Sequence, residues 1–203
     1  MAHIDLEKST QARPSRIGNP GALGLFSFAS TTFMLSLYNL QTRSITHPNI
    51  VVGMAIFVGG LAQLLAGMWE FPRGNVFGAT AFTSYGAFWM SYATILIPGS
   101  GVLSAFTDPK EIHSALGIYL ITWFMVTFFL LIGSLRKNVG LVVLFAFLSI
   151  TFLLLAVGEF TNILSVTKAG GALGVITAFV AYYVGLSDLL AADNINLPVG
   201  KFD

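Results

Sequence analysis

The residues most able to do chemistry in this chain are polar side chains set inside long apolar runs, where each is costly unless something uses it. Gln63 and Glu70 lie in one such run, on the stripe shared by Gly60 and Gly67. Gln63 offers amide donors and a carbonyl oxygen, and Glu70 a carboxylate that can hold a proton or pair with Arg73 nearby. Further on, Thr80, Ser84, Ala87 and Ser91 follow a four-three-four spacing and form one small, hydroxylated helix face, with Thr83 beside it. Tyr85, Phe88 and Tyr92 run alongside as an aromatic face. An aromatic stripe serves packing in most helices, but next to a polar stripe in a membrane helix it also suits a pore wall with a narrow gate. Hydrogen-bond donors in succession are what a small carboxylate needs to cross hydrocarbon. Glu159, Asn162 and Asp188 fall at the ends of apolar runs, where interfacial solvation accounts for them.

Enzyme chemistry finds little support. His3, His47 and His113 lie in a tail or in loops, so no intramembrane pair is placed to ligate haem or metal. There is no cysteine, hence no thiolate ligand or nucleophile. No nucleophile elbow, phosphate-binding loop or zinc-protease motif occurs. The sequence therefore implies no enzyme, no catalytic residues, no metal and no cofactor. A net charge of +1 without basic clusters gives no footprint for nucleic acid.

The elements that must position these residues are membrane helices. Of 203 residues, 55% are hydrophobic and only 9% charged, against about a quarter charged in soluble domains. The mean hydropathy is +0.80. Six runs, near residues 20–40, 50–69, 76–97, 115–135, 139–158 and 169–190, approach the roughly 20 residues that span a bilayer. The expected fold is an all-α membrane protein of six transmembrane helices. Residues 1–18 read as a disordered cytoplasmic tail, 19–190 as the membrane domain and 191–203 as a cytoplasmic C-terminal tail. With both termini cytoplasmic, that side carries Lys8, Arg13, Arg16, Arg73, Arg136, Lys137 and Lys201, and the other Arg43, Lys110 and Lys168. The imbalance obeys the positive-inside rule. Gly53, Gly60 and Gly67 recur every seven residues, which predicts a close-packed face along the second helix.

Where the polar N-terminal tail meets the first run stands Asn19-Pro20-Gly21-Ala22-Leu23-Gly24-Leu25. Asn19 suits an N-cap and Pro20 the first helical position, while the glycines allow close approach of a backbone or solute. The segment resembles the N-P-A-P-L-G-L signature of the acetate uptake transporter family, which includes bacterial succinate–acetate permeases and fungal relatives. Gly21 and Ala22 replace the signature's Ala and Pro. A block from Gly74 through Thr80, Ser84 and Tyr85 to Trp89 resembles the family's third helix, and Leu197-Pro198-Val199-Gly200 fits its tail.

The resemblance spans about residues 18–200 and implies a plasma-membrane transporter or channel for acetate and other short monocarboxylates, with succinate a further candidate. It implies a hydrophobic constriction of Phe28, Tyr85 and Leu148. It also implies ring-shaped homohexamers, each subunit having its own pathway, to which Asn19, Leu23, Gln63, Glu70, Thr80, Thr83 and Ser84 are assigned. Protons are a candidate co-substrate, with Glu70 the group to carry them. The alternatives are an ammonium or ammonia exporter and a non-conducting acetate sensor on the same scaffold.

Overall fold

A computed structural model describes residues 17–200 and residue 202. The expected N-terminal tail, with Lys8, Arg13 and Arg16, falls almost wholly outside the described residues, as does Lys201. Six long helices follow one another: α1 (Gly21–Asn39), α2 (Val51–Glu70), α3 (Val76–Leu96), α4 (Pro109–Ser134), α5 (Val139–Thr161) and α6 (Leu164–Ala191). No strand occurs among the described residues. Five of the six are long and apolar enough to cross a membrane by composition. The exception is α3, whose apolar character is diluted by Gly78, Thr80, Thr83, Ser84 and Gly86.

Polar residues set the helix boundaries. The Gly24 amide donates to the Pro20 carbonyl at 3.0 Å, so Pro20 works as the first turn's acceptor, and Asn19 Oδ1 accepts from the Gly21 amide at 2.9 Å. Asn75 and Asn138 cap α3 and α5 through the Gly78 and Leu141 amides at 3.2 and 2.8 Å. Hydropathy alone starts α4 too late. The helix begins at Pro109, behind an Asp108 side chain that accepts from the Lys110 amide at 2.9 Å, and this polar first turn lies outside the apolar run. Asn162, at φ +53°, ends α5 in the left-handed conformation that asparagine tolerates, and α6 starts almost at once.

Within α2, residues Met54–Ala62 adopt π-helical hydrogen bonding. A π-turn holds more residues than an α-turn, so the seven-residue glycine stripe does not stay on one face. Gly60 and Gly67 are buried, while Gly53 is exposed. Gly59 takes a place in the packing instead, against Thr31 and Trp89. In the bundle α1 packs chiefly on α6, α2 on α3, α4 on α5, and α5 on α6. Close approach at Gly67 against Thr83 and at Gly174 against Ser36 leaves no room for a Cβ. The C-terminal segment also packs on the bundle. Its Val199 and Gly200 carbonyls accept from the Gly140 and Val139 amides at 3.0 and 2.8 Å, covering the start of α5.

Candidate functional site

Two cavities lie end to end inside the bundle. The wider, about 390 Å³, opens among the N-terminal ends of α1, α3 and α5 and the C-terminal ends of α2 and α6. Antiparallel neighbours force this arrangement: every other helix begins at the same end. The three starting helices bring Asn19, Asn75 and Asn138 into one wall, each bonded to an amide of its own first turn. Helix starts carry partial positive charge and attract anions. Arg73 and Lys137 add two full cations, and Glu70 and Asp188 add two carboxylates.

The acids are held differently. Glu70, 1% exposed, receives a hydrogen bond from Arg73 Nη1 at 2.9 Å, and the same nitrogen donates to Asn19 Oδ1 at 2.7 Å. Asp188 rests over Gly21, where a Cβ would collide with its carboxylate, with the Asn19 side chain beside the same glycine. Its charge thus lies against the positive start of α1. Asp188 forms no ion pair among the described residues. Gln63, 1% exposed, lines the same cavity with its Oε1 unpartnered.

The second cavity holds only about 80 Å³. Its wall is largely aromatic and aliphatic: Phe88, Trp89, Tyr92, Tyr119 and Phe152 with Leu148 and Leu155, joined by Thr32, Ser36, Thr151 and Thr167. Glu159 is its single charged lining residue, bonded to His113 Nδ1 at 2.7 Å.

Phe28 belongs to the walls of both cavities. Its ring meets Tyr85 with centroids 5.4 Å apart. Tyr85 faces the wide cavity and Leu148 the narrow one, and all three side chains are buried in one hydrophobic cluster. Tyr85 is fixed from α4. Thr127 spends its hydroxyl proton on the Trp123 carbonyl at 2.7 Å, so Tyr85 Oη donates to Thr127 Oγ1 across 2.8 Å. Trp123, tilted, and Phe145, stacked, lie against the same ring with centroids 6.1 and 6.4 Å away.

Of the residues expected from sequence, the structure brings Asn19, Gln63 and Glu70 to the wide cavity and gathers Phe28, Tyr85 and Leu148 between the two. Leu23, Thr80, Thr83 and Ser84 line neither cavity. Leu23 and Thr80 are exposed on the outer surface, and Thr80 Oγ1 donates to its own helix at Val76. The face of α3 turned inward is the aromatic one, and its hydroxyl face packs against α2 through Thr83 or looks outward. Sequence reasoning missed Asp188, Lys137, Asn75 and Asn138 as cavity residues. The asparagines were legible as helix caps, and the alternation of helix directions then puts them together. Nothing local marked Asp188, which becomes a cavity residue only by the packing of α6 on α1.

The sequence profile described as "GPR1/FUN34/yaaH family" matches residues 4–203. The chain belongs to that family. Among the similar GPR1/FUN34/yaaH proteins, ammonia transport outward protein 2 of Saccharomyces cerevisiae is 44% identical, over 92% of this chain and 67% of its own length. Acetate permease A of Emericella nidulans is 43% identical, over 97% and 70%. The chain spans between 60% and 70% of the length of the fungal relatives it matches. The solved structure of the bacterial acetate channel SatP superposes with a TM-score of 0.81 at 34% identity, covering 91% of this chain and all of that one. With its long apolar helices, this member of the GPR1/FUN34/yaaH family is an all-helical, multi-pass membrane protein.

Proposed function

We propose that the chain passes acetate and similar short monocarboxylates across the plasma membrane, through six spans with both termini cytoplasmic. The observation that carries this reading is Phe28: one buried ring, backed by Tyr85 and Leu148, separates a cavity built to attract anions from a narrow apolar one. A carboxyl group with a pKa of about 4.3, like that of glutamic acid, is charged at neutral pH and would gather at the wide, cytoplasmic end, where the starts of α1, α3 and α5 meet Arg73 and Lys137. Asn19 and Gln63 offer it hydrogen bonds there. The ring of Phe28, Tyr85 and Leu148 holds back hydrated ions and admits a solute with a methyl end.

Names among the relatives support acetate as the solute, including acetate permease A and the channel SatP. Glu70 and Asp188 are the groups placed to carry a proton with the substrate, and Asp188 is the freer of them. A homohexamer, each subunit with its own pathway, is proposed from the family resemblance. In this reading Leu23, Thr80, Thr83 and Ser84 serve helix surfaces and contacts between helices.

The test is uptake of labelled acetate into proteoliposomes, competed by propionate, with and without a pH gradient. Saturable uptake competed by propionate is expected, and none above empty vesicles would refute the reading. The ammonia-transport relative favours a second reading, in which ammonium is drawn by Glu70 and Asp188. Ammonium flux without acetate flux in the same vesicles would select it.

A further inference from the structure

Glu159 is the only charged residue lining the narrow cavity among the described residues, and its partner is a histidine. Both stand at one end of the bundle, His113 in the second turn of α4 and Glu159 in the last turn of α5. The two side chains are 40% and 26% exposed, so the pair forms a rim that solvent reaches. Small residues fix it there. Gly117 makes room for the Phe160 ring and Gly158 for Thr167, which closes α4 and α6 around Glu159. His113 Nδ1 and Glu159 Oε2 are 2.7 Å apart. A carboxylate only accepts, so Nδ1 carries the hydrogen and Nε2 is left to gain or lose a proton. With the imidazole neutral the rim carries the whole carboxylate charge; with it protonated the two charges cancel.

Other titratable groups at this end are Asp108, Lys110 and Glu111 beside His113, Lys168 next to Thr167 on α6, and the phenols of Tyr92 and Tyr119 in the cavity wall. None of them forms an ion pair with Glu159. Carboxylates, ammonium groups and phenols do not ordinarily change charge between pH 8 and pH 5.5, and imidazoles do. The loop after α1 carries Arg43 and His47, both exposed and neither lining the cavity.

We infer that Glu159 and His113 form a charge filter at the outer mouth of the narrow cavity, rejecting anions while the imidazole is neutral and passing them once it is protonated. This rests on the transport reading above for its orientation and for acetate as the solute it acts on. No Lys or Arg lines the cavity among the described residues, so only the imidazole can offset the carboxylate. Entry of an anion from outside therefore becomes easier as the outside acidifies.

The filter can be read without transport. Ser36→Cys places a thiol in the narrow cavity of a chain that has no other cysteine. A negatively and a positively charged methanethiosulfonate of similar size are added from the narrow-cavity side to the full-length protein in vesicles. The ratio of their rates cancels the ionisation of the thiol itself. One unit charge met a few ångströms away in water changes each rate about fivefold, in opposite senses, so the anion-to-cation ratio should rise roughly twentyfold from pH 8 to pH 5.5. Glu159→Gln should raise the ratio at pH 8 by a similar factor. His113→Gln should hold it low at both pH values, and His47→Gln should leave the profile as it was. A pH 8 ratio unmoved by Glu159→Gln, an unaltered profile in His113→Gln, or no modification by either reagent would overturn the filter. Exchange of labelled acetate at equal pH on both sides, corrected for empty vesicles, should follow the same profile. Exchange that ignores pH would overturn its action on acetate. The expected ratios without any acetate exchange would refute the transport reading and leave the filter standing.

Discussion

Across the thickness of one side chain, Phe28, the wall of the bundle's interior changes character. On one side stand Arg73, Lys137, Glu70 and Asp188 among three helix starts; on the other stands a cage of aromatic rings with Glu159 as its single charge. The wide cavity is suited to gathering an anion but is too roomy to select by size. The narrow one is suited to selecting by shape but offers little to attract charge. Each lacks what the other supplies, which gives the Phe28, Tyr85 and Leu148 ring its place between them.

The comparison breaks first, and most severely, at the charged end. Arg73→Gln leaves Glu70 buried without its partner, which should cost roughly 3 kcal/mol, the low end for a broken buried pair because Arg73 is itself partly exposed. Protein in the membrane and acetate uptake should both fall steeply. Glu70→Gln combined with Arg73→Gln should restore abundance but not uptake. If uptake recovers with abundance, the pair is structural and the wide cavity does not attract the solute through it.

A smaller effect is expected at the ring. Phe28→Ala joins the two cavities and should raise the lactate-to-acetate uptake ratio, normalised to membrane protein, by about tenfold, the low end for a changed apolar pocket. Leu148→Ala opens only the narrow side and should raise the ratio less. Lower abundance with an unchanged ratio in both would mark simple core cavities, which cost roughly 2–5 kcal/mol.

The extent to which these features could be read in advance differs between the two cavities. The ring was legible because Phe28, Tyr85 and Leu148 sit in or near segments resembling a known family, and the structure gathers them in one cluster. The hydroxyl face of α3 was legible as a pattern but not as a direction. Spacing shows that Thr80 and Ser84 share a face, while only packing decides that the aromatic face turns inward. The π-helical stretch of α2 left no signature in composition, and it moved Gly53 off a stripe that an ideal helix would have kept. The charged cavity was the least visible because its residues come from five helix ends far apart in sequence.

The smallest effect should come from the caps. Asn138→Ala removes the acceptor of the Leu141 amide at the start of α5, worth about 1 kcal/mol. A severalfold rise in acetate KM at near-parental abundance is expected, since the C-terminal Val199 and Gly200 carbonyls still cover the first amides. An unchanged KM would remove the α5 start from the anion-attracting wall.

The central claim, that one ring separates two cavities of different character, can be measured in a chain that has no cysteine of its own. Ala81→Cys would place a thiol in the wide cavity and Ser36→Cys one in the narrow cavity. A small, charged, membrane-impermeant thiol reagent added from the narrow-cavity side should modify the thiol at position 36 and spare that at position 81. With Phe28→Ala added, it should reach both. Equal labelling of both positions while Phe28 is intact, or protection of position 81 that persists after Phe28→Ala, would contradict the account.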